Sequence, residues 1–428
     1  MSFPILQPQP QLSASGRVRV LWVTRRYWPQ SAGQHPQAAT AVALTQALAA
    51  MGMHVEVVTP RYGAHWSHEF RLGHIRVHRI LAAPKGDWST QRYVRFLGNW
   101  LAEQTSRFDW IVCDGIDDDV RSVATAIEHS RNDPTRGPRS ATRGIVLCDG
   151  WGSDGDDMTC RQSRGGKRCL QAIADLDQVI TRHSALDRFL VASGVAPDRI
   201  RRLTPGFARP TRITLQDRLA ARRALAGINR DLKTSQDDHV LLWCGSMTGR
   251  SNYDGGAGIV VGNARLMCAR YPHLKIWMLG DGPLHDWVHR ELKAEGVRAE
   301  VAIPGTFADM TDVWNAVQSV VVTDVDQLRY TLPRAIAHAL PTVVADHAPI
   351  RAWMTDKFSP EIVDSTTWYD PQKPSSLRKS FRNLWDRLPA ANDLAWEVAL
   401  DAARRFSASE ELNQWASILS STAANKPT

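Results

Sequence analysis

The sequence predicts an α/β protein built as two doubly wound, parallel-sheet, Rossmann-like domains, and three observations carry that prediction. The first is length, since 428 residues exceed what one ordinary core encloses and leave enough chain for two sizeable interiors. The second is alternation. Short apolar runs rich in β-branched residues are separated by helical patterns, and continuous apolar runs suit strands buried on both faces of a parallel sheet. The third is that the alternation starts twice, at VRVLWVT (18–24) and again at VLLWCG (240–245).

The elements follow in order. Residues 1–16, MSFPILQPQPQLSASG, are polar and read as a disordered tail; a positive region followed by an apolar core is missing, so neither a signal peptide nor an anchor is expected. A loop after the first strand leads into a helix with Leu44, Ala47, Leu48 and Met51 at helical spacing, and HVEVVTP then forms a parallel strand ending at Pro60. Further strands are expected at 75–80, 110–113, 144–148 and 179–181. The segments 129–143 and 153–167 read as exposed excursions, being rich in Arg, Pro, Ser, Gly and Asp. This first domain spans 17–207. A linker over 208–237 holds an Arg-rich amphipathic piece at 215–226. The second domain, 238–390, has strands at 240–245, 275–279, 301–303, 319–323 and 342–345. The closing segment, 391–428, contains helices and a tail, with Leu394, Val398, Ala402, Phe406, Leu412, Trp415 and Leu419 at helical spacing.

A hydrophobic content of 43% with 22% charged residues is that of an ordinary globular protein. No run approaches the roughly 18 apolar residues of a membrane helix. The six cysteines show no CxxC pairing and are expected to be reduced thiols of a cytoplasmic protein. Only Cys160 and Cys169 fall in a polar loop where pairing or metal binding could arise. The net charge of +8 comes from arginines spread along the chain. It suits either a solvated surface or attraction to phosphorylated ligands or the anionic inner face of a membrane. No nucleic-acid partner is expected.

In doubly wound sheets, ligands bind where strand C-termini meet helix N-termini, so the loops after strands are the places to look for chemistry. TRRYWPQSAGQ follows the first strand. Gly33 there permits close backbone approach, and Arg25, Arg26 and Trp28 could meet an anion or a sugar face; a plain strand-to-helix turn is the alternative. CGSMTGRSN (244–252) opens the second domain with Gly245, Ser246, Arg250 and Ser251. WMLGDGPL (277–284) carries Gly280 and Gly282 for a tight turn and Pro283 suited to a helix start. GIVLCDG ends on Asp149, which is either an acid or base or an ordinary cap. The acids of DGIDDDV are expected to begin a helix after Asp117, favoured there by its dipole. Last comes VDQLRYTLPRAIAHALPTVVAD, a turn into a helix with Asp326, Gln327, Arg329, Tyr330 and Arg334.

Together these motifs resemble retaining glycosyltransferases of the GT-B type, those of glycosyltransferase family 4, over 18 to about 406. The WMLGDGPL turn lies about 35 residues after the CGS loop and about 45 before Asp326, spaced as in that family. The resemblance implies a GT-B fold, two Rossmann-like domains facing a central cleft, with a nucleotide-sugar donor on the second domain and a glycan or lipid-linked acceptor on the first. It implies no metal or other cofactor, because the family neutralises the departing diphosphate with cations and helix termini. In the family two glutamates eight positions apart bind the transferred sugar and the ribose. Here Asp326 keeps a carboxylate one methylene shorter, and Arg334 puts a donor-only group where an acceptor stands. The family's Arg and Lys in the first loop correspond to Ser246 and Ser251, with Arg250 one residue away. Asp326 and Asp149 are therefore the catalytic candidates. Gly33, Gly245, Ser246, Arg250, Gly280, Gly282, Gln327, Arg329, Tyr330 and Arg334 are the donor-binding candidates.

The departures fall at donor-contacting positions and spare the scaffold. That favours a hexosyltransferase-type enzyme with a rebuilt site, acting in polysaccharide or glycoconjugate assembly in the cytoplasm or peripherally at the inner membrane face. The alternative is a family member that has lost catalysis and serves as a binding or scaffold partner. A nucleotide-sugar epimerase would need an N-terminal GxxGxxG and a YxxxK pair, which are missing from the right context.

Overall fold

The computed structural model describes residues 18–29, 36–85, 87–133, 142–148, 164–248 and 256–421. The chain divides into two compact units. One comprises the residues up to Tyr27, Ala41–Leu203 and those from Leu412 onward; the other comprises Trp28–Thr40 and Thr204–Glu411.

The first unit is built on an eight-stranded sheet. Its strands are β1 (Arg19–Thr24), β2 (His54–Arg61), β3 (Glu69–Leu72), β4 (Ile75–Ala82), β5 (Trp110–Asp114), β6 (Arg143–Cys148), β7 (Gln178–Thr181) and β8 (Ile200–Arg202). They lie in the order β3-β4-β2-β1-β5-β6-β7-β8, parallel throughout except for the β3-β4 hairpin. The central strands are apolar because both faces are covered. Val20, Trp22, Val57, Val112 and Ile145 point into one core, and Leu21, Val23, Ile111, Val146 and Val179 into the other. The expected excursions are shorter than their sequences suggest. The helix Asp119–Asn132 runs on past His129 with Ser130 buried, Thr142 is buried ahead of β6, and residues from Arg164 belong to the helix Arg164–Ala174. That helix buries Cys169, which is therefore a core thiol and not part of a polar loop; Cys160 lies outside the described residues.

The closing segment holds two helices. Leu388–Arg405 and Ala408–Ser420 are separate helices, with Phe406 and Ser407 non-helical between them. The residues from Leu412 belong to the first unit, where Trp415 lies 5.7 Å from the Trp22 ring and the Trp110 indole donates to the Leu419 carbonyl at 2.7 Å.

A buried acid sits near the start of β2. Glu56, 3% exposed, accepts hydrogen bonds from His78 (2.6 Å), His54 (3.1 Å) and Arg107 (3.1 Å). Burial alone would raise its pKa, but the two imidazole donors and the Arg107 charge outweigh it and hold the carboxyl at about 2. A folded-state pKa below the ordinary 4.5 means that the stabilisation is complete above that value and is lost as pH falls from 4.5 towards 2. The neutral-pH contribution is about 3 kcal/mol. Glu56→Gln should lower the urea midpoint at pH 7 and have little effect at pH 2, which equilibrium unfolding at the two pH values checks.

The second unit carries β9 (His239–Cys244), β10 (Leu274–Leu279), β11 (Val301–Gly305), β12 (Ser319–Val322), β13 (Thr342–Ala345) and β14 (Thr367–Tyr369), all parallel in the order β11-β10-β9-β12-β13-β14. The segment read as a linker contains the helix Leu215–Ile228, opened by a Thr214–Asp217 capping box. Its Arg222, 3% exposed, donates to the carbonyls of Ala316, Ser235 and Asp238 and to the Gln318 side chain, at 2.6–3.1 Å. The helix is thereby tied into the second sheet.

Candidate functional site

In each unit the strand order reverses beside the first strand, and that reversal opens a crevice at the strand C-termini. In the second unit β10 and β12 flank β9. The loops leaving these three strands are bonded to one another. Gly245 donates to the Leu279 carbonyl (3.0 Å), Met247 to the Asp281 carbonyl (3.0 Å), and Leu284 to the Met247 carbonyl (3.0 Å). Gly282 has φ +151°, and a Cβ there would stand 2.4 Å from the Met247 oxygen, so glycine is required on both counts. The helix after this turn begins at His285, which leaves Pro283 in the turn two residues ahead of it. Pro283 therefore serves the turn, contrary to its expected place as the first helical residue.

The β12 loop is joined to β9 through buried polar groups. Gln327, 1% exposed, accepts from the Thr323 amide (2.6 Å) and the Asp324 amide (3.0 Å) through Oε1, and its Nε2 donates to the Cys244 carbonyl (2.9 Å). That carbonyl also receives the Thr331 hydroxyl (2.7 Å), while the Trp243 indole donates to Thr323 Oγ1 (2.9 Å). Asp324 and Gln327 form a capping box around the turn Val325–Leu328. The Gln327 side chain thus holds the loop in shape, and Tyr330 does similar work. Its ring is buried against Trp314, whose indole donates to its hydroxyl at 3.4 Å, and burial raises the phenol's pKa.

Asp326 is half-buried in this turn. Arg334 is exposed on the helix Thr331–Ala337, its guanidinium 5.5 Å over the Tyr330 ring. Arg329 is half-buried, and its Nε is buried with no hydrogen-bond partner. Among the described residues neither Arg329 nor Arg334 has a carboxylate partner. Gly245, Gly280, Gly282, Gln327, Arg329, Tyr330 and Arg334, with Ser246 next to Gly245, all sit on these three strand ends and the helix that follows them. Gly33, Asp149, Arg250 and Ser251 lie outside the described residues.

The first unit has a crevice of its own beside β1, which β2 and β5 flank. Arg25, immediately after β1, donates through Nε to Asp119 at 2.7 Å and lies 3.8 Å from Asp117. Both acids follow β5, in the DGIDDDV segment expected to begin a helix. Asp119 is 2% exposed; burial first and then the Asp117 charge push its pKa up, while the Arg25 guanidinium bonded to it at 2.7 Å opposes both and favours the carboxylate. Against burial, the two carboxylates keep the Arg25 guanidinium charged. The Arg25 guanidinium lies 5.0 Å over Tyr93. That of Arg26 lies 4.1 Å over Tyr62, whose hydroxyl donates to the Arg25 carbonyl (2.9 Å).

No family model and no curated protein matches the chain by sequence. Solved structures do match it by shape. Sucrose-phosphate synthase from Thermosynechococcus elongatus aligns at TM-score 0.64 with 14% identity, over 94% of this chain and 98% of that one. WaaG, a glycosyltransferase involved in lipopolysaccharide biosynthesis, aligns at 0.65 and 14%, over 94% and 99%. Anabaena HepE, in complex with UDP and glucose, aligns at 0.64 and 14%, over 94% and 100%. At this identity the likeness is one of fold, and the chain has the two-sheet Rossmann-like architecture of the GT-B glycosyltransferases.

Proposed function

We propose that the chain is a glycosyltransferase that moves a hexosyl group from a nucleotide-sugar donor to a glycan or lipid-linked acceptor, with retention at the anomeric carbon. The observation that carries the reading is that Arg329, in the loop after β12, and Arg334, on the helix that follows it, have no carboxylate partner among the described residues, at the strand-order reversal of the second sheet. A departing diphosphate needs cations, and Ser246 and Ser251 supply none. Arg329 and Arg334, on the loop and helix after β12, offer forked donors in their place. Gly245, Gly280 and Gly282 permit close backbone approach. Gln327 and Tyr330 fix the loop from beneath, so that a donor meets their backbone and not their side chains. Asp326 is assigned the hydroxyls of the transferred sugar, and Asp149 the acceptor side; Gly33, Ser246 and Arg250 complete the donor set. HepE, solved with UDP-glucose, and a UDP-forming trehalose-phosphate synthase from Burkholderia xenovorans share the fold, which makes UDP the first nucleotide to try.

Calorimetric titration with UDP, GDP and ADP tests the reading. One nucleotide should bind saturably, and Arg329→Ala and Arg334→Ala should each weaken it about tenfold or more, equivalent to at least about 1.4 kcal/mol. Silence across the panel at millimolar ligand would favour the alternative, a member without catalysis that acts as a binding or scaffold partner. The missing acceptor at position 334 is the observation behind that alternative.

Peripheral contact with an anionic membrane from the cytoplasmic side belongs to the same proposal. No helix among the described residues is long and apolar enough to cross a bilayer. The helix Asp87–Gln104 does present Trp88 (76% exposed), Arg92, Arg95 and Phe96 (43% exposed) on one face, apolar rings interleaved with cations. Sedimentation with vesicles containing phosphatidylglycerol should carry the protein down at low salt. Trp88→Ala with Phe96→Ala should release most of it; equal sedimentation with neutral vesicles would count against this contact.

A further inference from the structure

We infer that Arg25 and Arg26, at the strand-order reversal of the first unit, form a binding site for the phosphate group of a ligand distinct from the nucleotide. The inference deepens the proposed transferase reading by giving the acceptor a phosphate. It rests on what the two guanidiniums lack. Arg26 is half-buried and stacked on Tyr62 at 4.1 Å, yet among the described residues it has no carboxylate partner and no side-chain hydrogen bond. A partly desolvated guanidinium without a counter-charge is costly unless an anion completes it. Arg25 engages Asp119 and Asp117 only through Nε, so its two terminal nitrogens make no hydrogen bond to a described residue. The Tyr62 hydroxyl on the Arg25 carbonyl, with Tyr93 beneath the Arg25 guanidinium, fixes the segment that carries both side chains.

The chemistry favours phosphate over a carboxylate. The open N–H groups of two forks outnumber what one carboxylate can accept, whereas a phosphomonoester offers three anionic oxygens. The site also differs in kind from the one in the second unit. Here the cation nearest the sheet is already paired with two acids. Asp119 is a positioning residue that holds Arg25 by its Nε, and Arg26, without a carboxylate partner among the described residues, supplies the charge. The location fits, because Arg25 follows β1 and Asp117 and Asp119 follow β5, which are the two strands bordering the crevice.

Calorimetric titration of the full chain with glucose 6-phosphate, glucose and glucuronate decides the matter. Glucose 6-phosphate should bind at least about tenfold more tightly than glucose or glucuronate, and added salt should weaken it. Arg26→Gln should remove that preference and leave UDP affinity unchanged, while Arg26→Lys should keep part of it. Dihexanoyl phosphatidic acid, used as a monomer, separates the sources. Tighter binding than glucose 6-phosphate assigns the phosphate to a lipid carrier, and weaker binding to a soluble sugar phosphate. Equal affinity for glucose and its phosphate in the wild-type protein would overturn the site without relying on any variant. A preference that survives in Arg26→Gln, equally tight glucuronate, or a parallel loss of UDP binding would also overturn it. UDP silence with the phosphate preference intact would sink the donor reading and leave this one standing.

Discussion

Replacing Arg222 with leucine is expected to cost about 4 kcal/mol of stability in the second unit, which approaches the whole margin of many domains. The guanidinium is buried and donates four hydrogen bonds, three to main-chain carbonyls and one to Gln318. Burial lowers its pKa to about 10, so it remains charged at neutral pH, and all four acceptors gain from that charge. Leucine fills part of the volume but leaves the carbonyls of Ala316 and Ser235 without this donor, while Asp238 keeps only the Gln318 amide at 3.1 Å. Gln318 also accepts from the Val240 amide at the start of β9, so the loss reaches the strand that leads to Gly245. Arg222→Lys should recover about half of the loss, since an ammonium can serve one or two of these acceptors but cannot span them as a planar fork. Urea unfolding followed by tryptophan fluorescence measures both. A loss below about 1 kcal/mol for the leucine variant would show that the helix Leu215–Ile228 is held by its apolar contacts alone.

The same residue shows where the sequence is legible and where it is not. The strands could be read because a parallel strand covered on both faces must be apolar along its length, as VRVLWVT and VLLWCG are. β3, β8 and β14 carry no such run. EFRL and IRR are partly exposed, and each of the three lies at a sheet edge. A three- or four-residue edge strand is defined by its neighbour's hydrogen bonds, which are set by tertiary structure. Nothing in the Arg-rich amphipathic piece sets Arg222 apart from its neighbours, because its acceptors lie up to 96 positions away in sequence. The burial of Gln327 is hard to read from sequence for a related reason. The pattern Asp324-x-x-Gln327 is a capping box in plain view, but its link to the Cys244 carbonyl crosses 83 positions, and only that link explains why the side chain is buried. Arg25 and Asp119, 94 positions apart, behave alike. Composition shows that a chain has cations and acids, and the fold decides which of them neutralise one another. The sequence names Arg26, Arg329 and Arg334 as candidates, but that they lack carboxylate partners among the described residues follows only from the fold.

Gly282→Ala is expected to destabilise the second unit by about 3–5 kcal/mol and to abolish nucleotide binding there. Two penalties combine. A φ of +151° is a conformation that residues with a Cβ rarely adopt, and the strain costs about 1–3 kcal/mol. The new methyl would also stand 2.4 Å from the Met247 oxygen and 2.8 Å from its carbonyl carbon, so backbone must move to make room. That oxygen accepts the Leu284 amide, and the Met247 amide donates to Asp281, so the movement breaks the bonds that hold the β9 loop against the β10 loop. Gly296 separates the two penalties. Its φ is +72° and a Cβ there would meet nothing within 4 Å, so Gly296→Ala should cost only the backbone term, about 1 kcal/mol. Comparing the urea midpoints of the two variants isolates the clash, and titration with the nucleotide that the wild-type protein binds tests its consequence. If the two variants lost equal stability, the Met247 contact would carry no cost and the loops would be free to part. If Gly282→Ala were unstable yet bound nucleotide normally, the candidate site would not lie on these loops.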